Sequence, residues 1–317
     1  MSNERLGLNG MSPENKQFYD RQLLAYAVPN FVFMNYGLKR GIPGRGGNSI
    51  EWRRLEYITT STTALTEGTP PSVTNVTFTA IAATVQQYGQ FARHSDVLAA
   101  QGFDPVITEM VEHFGVSMKD ALDQVVRNVV VGGTTVQYAS TATSRGDVGS
   151  GDRLTLAEIR EAVGTLKRNN AKPIVDGKFI LITHTDSIED LFADSDLQQI
   201  FLDAAARGGG NPLMTGEIGD VAGVRVIHTT NARIFSSNGL SGADVYATMI
   251  LGQQGYGVSD WDALSARTFI KPIGSAGALD PLDQFGTVGW KAAIAAARLN
   301  ENWMVRIEHT TSQSNAA

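Results

Sequence analysis

Residues 59–91 read TTSTTALTEGTPPSVTNVTFTAIAATVQQYGQF and carry a single formal charge, Glu67, in 33 positions. A solvated loop of this length normally carries charge or stays disordered. The stretch is nevertheless too rich in Thr to form a core of its own. Val76, Phe78 and Ala80 alternate with Thr77 and Thr79, the period of a strand with unlike faces. A second strand-like run precedes it, from about Ile50 to Thr59, and LTEGTPP (Leu65–Pro71) supplies the turn between them. The two runs form a long hairpin. Composition leaves two placements open: the hairpin lies on its own domain, or it is an arm that becomes buried only on a neighbouring subunit.

The charges flanking this stretch are uneven. Residues 1–58 hold 8 basic and 5 acidic side chains, net +3, and residues 92–317 hold 18 and 26, net −8. With Glu67 the chain totals 26 − 32 = −6. That balance excludes a protein whose main work is gripping nucleic acid through a basic surface. The absence of Cys rules out disulfides, thiolate zinc sites and Cys nucleophiles. No run approaches the 18 or so apolar residues of a membrane span, and Glu4 and Arg5 begin no signal peptide. A soluble protein made in a reducing compartment is expected, with its 317 residues forming about two domains or one large one.

N-terminal to the hairpin, Ser12-Pro13 opens a helix predicted over Pro13–Ala27, and the Gly-rich Gly41–Gly47 excludes regular structure. C-terminal to it, Asp104-Pro105 starts a helical pattern in which Ile107, Met110, Val111 and Phe114 share a face. Gly115 interrupts it, and Ser117 with Asp120 resembles a capping box. The apolar stripe then resumes through Met118, Leu122, Val125, Val126 and Val129 to Gly132-Gly133. This predicts one long helix with a break, or two in tandem, about 40 Å in all at about 1.5 Å per residue. From Thr155 helix and strand alternate. Thr155 and Glu158 form a capping box, Lys178–Thr183 is a strand after the Asp176-Gly177 turn, and Asp186 with Glu189 caps a short helix. A further helix is predicted over Leu197–Ala206, ended by Gly208–Gly210. Strands follow at Val224–Thr229, Asp244–Leu251, Arg267–Ile273, Trp290–Arg298 and Trp303–His309, ahead of a disordered tail.

Chemistry is scarce. The five His (His94, His113, His184, His228 and His309) include no pair three or four apart, and there is no H-E-x-x-H, G-x-S-x-G or Walker A sequence. Gly252–Gly257 has the wrong order for a dinucleotide loop and reads as a turn. Thr183-His184-Thr185-Asp186 stands where catalytic groups occur, but Asp186 as a helix cap and His184 as packing explain it better. Asp194/Asp196 and Asp280/Asp283 sit in turn-like contexts. No catalytic, cofactor-binding or metal-binding residue is assigned, and the chain is read as not an enzyme. Trp52 beside Arg53-Arg54 reads as a strand face that pairs with acids on another chain rather than a nucleic-acid clamp.

Several segments together resemble one family, the major capsid proteins of tailed bacteriophages, in the branch typified by the podophage N-four. They are RRLEYITTSTTALTEGTPP (Arg53–Pro71), QYGQFARHSD (Gln87–Asp96), the Asp104-Pro105 helix start, GEIGDVAGVRVIHTTNARIF (Gly216–Phe235) and DPLDQFGTVGWKAAIAAARLNENWMVRIEH (Asp280–His309). The blocks keep the family's order, and the last is the most specific. The resemblance implies an α+β chain of the Hong Kong 97-type capsid fold. Residues 1–48 would be the N-terminal arm and 49–91 the extended loop hairpin. Residues 92–150 and 256–311 would form the peripheral domain, with a spine helix over about 104–131. Residues 151–255 would be the axial domain and 312–317 the tail.

In that fold the loop lies across an adjacent subunit, which resolves the choice left open above and explains a loop almost free of charge. The candidate inter-subunit contacts are Trp52, Arg53, Arg54, Glu67 and Phe78. The implied function is a structural one: copies assemble as pentamers and hexamers into an icosahedral shell around double-stranded DNA. Implied partners are further copies of the chain, a separate scaffolding protein, a portal protein, decoration proteins and the packaged DNA, with no membrane and no cofactor. The implied location is the virion, after assembly in the bacterial host cytoplasm. Residues 54–118 contain no Lys, so no loop-borne isopeptide crosslink is expected. The rival readings are an encapsulin-like nanocompartment shell and a hydrolase using His184 or Asp186.

Overall fold

The computed structural model describes residues 31–43, 47–97, 106–199, 219–261, 266–275 and 280–313. The helix predicted over Pro13–Ala27 lies outside them, as do the glycines at 208–210 and most of the helix predicted over Leu197–Ala206. The described residues fall into two compact units. One gathers 89–97, 106–117, 267–275 and 280–291, and the other gathers the rest.

Helix α1 (Val106–Val131) is a single helix of 26 residues. Gly115 does not break it, and Ser117 is no cap: its hydroxyl donates to Gln90 Oε1 at 3.0 Å. One missing side chain costs a helix about 1 kcal/mol, too little to end one with an apolar face to bury. Leu122, Val126 and Val130, four apart, are buried. The last turn has no basic residue of its own. Two arginines from distant strands stand in: Arg298 Nη1 donates to Val129 O at 3.0 Å, and Arg306 Nη1 donates to Val131 O and, at 3.0 Å, to Gly133 O. They satisfy carbonyls that the helix cannot.

The larger unit is built on a seven-stranded sheet. Its order is β5 (Val136–Tyr138), β14 (Met304–His309), β10 (Val245–Leu251), β6 (Phe179–Thr183), β8 (Val224–His228) and β7 (Asp220–Val221), with β9 (Ile234–Phe235) also on β10. β6, β10 and β14 are buried along their whole lengths, which is why they read as unbroken runs such as FILIT and VYATMIL. Helix α2 (Leu156–Arg168) buries Leu156, Ile159, Ala162, Val163 and Leu166 in the same core as Leu181, Ile250, Val305 and Ile307. Its predicted capping box is present, with Thr155 N–H donating to Glu158 Oε2 at 2.6 Å.

One expectation is corrected. The cap of helix α3 (Thr185–Ala193) is His184, whose Nδ1 accepts from the Asp186 N–H at 3.2 Å. Asp186 instead accepts from Tyr246 Oη at 3.1 Å. Both residues of the candidate hydrolase pair thus have structural partners. The last strand of the 256–311 segment joins the main sheet of the larger unit. β14 pairs antiparallel with β10 and parallel with β5, second from one edge of the seven-stranded sheet. Between those two strands it is buried along its whole length.

His309, on β14, is fully buried. Its Nδ1–H donates to Thr310 O at 2.9 Å, and Nε2 accepts from Thr248 Oγ1 at 2.8 Å, which in turn accepts from Thr183 Oγ1 at 2.6 Å. Nε2 faces a neutral hydroxyl rather than a carboxylate, and burial pushes the imidazole down to about 4. Asp190 opposes that shift and His184 adds to it. The unfolded ring titrates near 6.5, so between these values the unfolded chain binds more protons. The stability due to a neutral His309 is complete above pH of about 6.5 and lost as pH falls toward 4. The loss is about 3 kcal/mol at about 1.4 kcal/mol per pH unit. Urea titrations from pH 7 to 4 should show it, and His309→Gln should flatten the slope between pH 6.5 and 5. An unchanged slope would refute the assignment.

In the smaller unit, β12 (Arg267–Lys271) pairs antiparallel with residues 287–291 of β13 (Phe285–Arg298), and β4 (Gln86–Ser95) pairs with β13 as well. A Cβ at Gly289 would stand 2.7 Å from both Gln90 O and Phe91 Cβ. Only Gly lets the two backbones approach this closely.

Candidate assembly interface

Three strands of the larger unit carry the hairpin. β1 (Leu38–Ile42) pairs parallel with β11 (Tyr256–Trp261), which pairs antiparallel with residues 294–298 of β13. On this platform stand β2 (Ser49–Leu55) and β3 (Phe78–Thr84), antiparallel in the register Ser49↔Thr84 to Leu55↔Phe78. The strands are shorter than the predicted runs. Their base is seated by Ile50 and Ala83 on Ile42, Val85, Ala293 and Ala295.

The alternation of β3 puts Thr79, Ile81 and Ala83 inward, and Phe78, Ala80 and Ala82 outward. Thr79 Oγ1 donates to Glu56, which also accepts from Arg54 Nη2 at 2.9 Å. Those two bonds hold the Glu56 carboxyl below its usual range. Phe78 faces solvent at 68 % exposure, directly across from Leu55.

One further bond, Glu56 N–H to Thr77 O at 3.0 Å, extends the ladder. Residues 57–76 form no strand and are exposed throughout. Tyr57, Leu65 and Val73 are 85 %, 75 % and 90 % exposed. At the tip, Thr69 N–H donates to Thr66 O at 3.2 Å across Glu67-Gly68, and Gly68 takes φ +79°, which only Gly adopts freely. Glu67 has no hydrogen-bond or ion-pair partner among the described residues.

Beneath the hairpin lies a cleft of about 590 Å³ whose lining includes Arg40, Trp52, Arg53, Arg54, Leu299 and Trp303. Arg53 Nε pairs with Glu51 at 2.6 Å, and Arg54 Nη1 donates to Leu299 O at 3.1 Å. Arg40 is exposed and has no carboxylate partner among the described residues.

The five residues singled out from the sequence therefore divide. Arg53, Glu67 and Phe78 are presented to solvent, and Arg54 is half-engaged at the hairpin base. Trp52, expected on an exposed strand face, is instead only 9 % exposed, with its indole against Gly257 of its own chain. A Cβ at Gly257 would stand 3.0 Å from that ring. Nothing in the sequence signals Arg40 and Trp303 as part of the cleft, because the fold alone brings together segments more than 200 positions apart.

The family described as phage capsid protein matches residues 78–307. No curated protein sequence matches. Among solved structures, the chain is similar to the capsid of the cyanophage P-SCSP1u, with a TM-score of 0.75 at 13 % identity, covering 98 % of this chain and 99 % of that one. It is also similar to the capsid of Ralstonia phage GP4 (TM-score 0.74, 12 % identity, 97 % and 98 % covered). A third similar structure is the cyanophage Pam1 capsid (TM-score 0.72, 14 % identity, 99 % and 100 % covered). At these identities the likeness is one of fold.

Proposed function

We propose, from the premise that the chain belongs to the phage capsid protein family, that its copies close as pentamers and hexamers into an icosahedral shell around double-stranded DNA. The fold is the Hong Kong 97-type capsid fold, and the protein is a structural component of the virion shell. One observation carries the mechanism. The hairpin displays Leu55, Tyr57, Leu65, Val73 and Phe78 to solvent on a stretch whose one charge is Glu67. Large apolar side chains grouped in this way mark a surface that another protein covers. A second copy of the chain is the partner available in every shell.

Each subunit would touch several neighbours, so modest contacts add up to a stable wall. Subunit interfaces of this obligate kind bury about 2,000–5,000 Å². The net charge of −6 suits a wall along which packaged DNA must slide. Assembly in the bacterial cytoplasm with a separate scaffolding protein, a portal and decoration proteins belongs to the same proposal. Among the described residues no helix is long and apolar enough to cross a membrane. Neither the encapsulin-like nor the hydrolase reading is favoured by the family match.

Electron microscopy and sedimentation of the full chain, co-expressed with the scaffolding protein from its own genome, test the proposal. Closed shells of uniform size are expected, and a particle that stays between monomer and tetramer at every concentration would refute it. Because residues 54–118 lack Lys, shells boiled in denaturant should run as a single monomer band. A ladder of covalent multimers would show that a loop crosslink exists after all.

A further inference from the structure

We infer that the cleft beneath the hairpin is the receptor for the loop tip of a neighbouring copy, with Glu67 of that copy lodged beside Arg40; the inference rests on the shell reading above. Charge supplies the first argument. Glu67 is the one ionised side chain between residues 59 and 91, and the structure puts it at the apex, inside the Thr66–Thr69 turn. A carboxylate in a stretch that becomes dry on assembly needs a cation there, since an unpaired buried charge is costly. Its own chain provides none among the described residues.

The cleft has the opposite surplus. Arg40, Arg53 and Arg54 line it against one acid, Glu51. Arg53 is engaged by Glu51 and Arg54 by Glu56, which leaves Arg40 on β1 as the cation without a carboxylate among the described residues. Trp52 lines the cleft as well, but its indole N–H is sealed from solvent, so the pairing rests on Arg40. The apolar part of the lining, Leu38, Ile50 and Trp303, suits Leu65, which precedes Glu67 by two positions and is 75 % exposed.

The exposure of the tip points to another copy rather than the chain itself. Glu67 lies 12 residues beyond Leu55, the end of β2, a span of up to about 40 Å at about 3.3 Å per residue. The tip is exposed on its own chain, so the cleft at the foot of the same hairpin is filled from a neighbour.

The chain has no Cys, so thiol crosslinking has no background. The test uses the full chain carrying Glu67→Cys and Arg40→Cys together, assembled into shells and treated with a short bis-maleimide. A ladder of multimers on denaturing gels is expected, with monomer alone from either single variant. Shells that give only an internally linked monomer, or no product, overturn the inference and leave the shell reading standing. Failure of the parent chain to form shells overturns both. Charge reversal gives a second readout. Glu67→Arg and Arg40→Glu should each lower shell yield about tenfold, and the two combined should restore it to within about threefold. A double variant no better than the worse single one overturns the pairing.

Discussion

Replacing Glu308 by Ala should destabilise the chain by about 3–5 kcal/mol, the cost of stripping one partner from a buried ion pair. Glu308, on β14, is fully buried. Arg145 grips it with two bonds, Nε to Oε2 at 2.8 Å and Nη2 to Oε1 at 2.7 Å. Arg306 Nε lies 2.7 Å from Oε1 as a close ionic contact rather than an aligned hydrogen bond. Both guanidiniums also lie over the Phe235 ring, at 3.6 and 6.0 Å from its centroid. Removing the carboxylate leaves Arg306, itself only 8 % exposed, with no counter-ion, and loosens the cation that caps α1. Denaturant unfolding of the unassembled chain should show the midpoint falling with an unchanged slope. Glu308→Gln, which keeps the shape and loses the charge, should fall between Ala and the parent. A loss under about 1 kcal/mol for Ala would mean that the site fills with water and that the pair contributes little.

Excising residues 57–76 and closing Glu56 to Thr77 with Asn-Gly should leave the fold intact and abolish shells. The register supports the splice: Leu55 pairs with Phe78, and Glu56 already bonds Thr77. A two-residue Asn-Gly link suits that geometry. No residue removed contributes to the core. Burying an exposed Leu, Val or Phe is worth about 1.5–3 kcal/mol. Losing Tyr57, Leu65 and Val73 from each contact should therefore cost about 5 kcal/mol, more than about a thousandfold in association. Circular dichroism should match the parent while sedimentation finds only free subunits. Normal shells from the shortened chain would remove the hairpin from the assembly mechanism.

Where a segment meets its environment through its own periodicity, the sequence was readable. Leu122 and Val126 of the helical stripe and the Thr155–Glu158 box appear where expected, and the strands expected at 178–183 and 244–251 appear within one residue. Other features depend on what lies across from them. Gly115 reads as a break because propensity counts only the local cost, and the buried face overrides it. β1 is invisible in LKRGI, because a short strand with three exposed residues exists by virtue of its parallel partner β11. Trp52 reads as a surface residue beside two arginines, until Gly257 makes room for its ring.

Composition alone established a stretch nearly free of charge, with the one carboxylate of Glu67 in it, and a chain without a thiol. These are properties of residue types in order, which folding does not alter. The tertiary structure decided which face of that hairpin is bare, and that Glu67 stands at the apex of a turn. It also decided that Arg40, Trp52 and Trp303 line one cleft. Those facts depend on strand register and on contacts between distant segments, where a shift of one residue would turn every side chain to the other face.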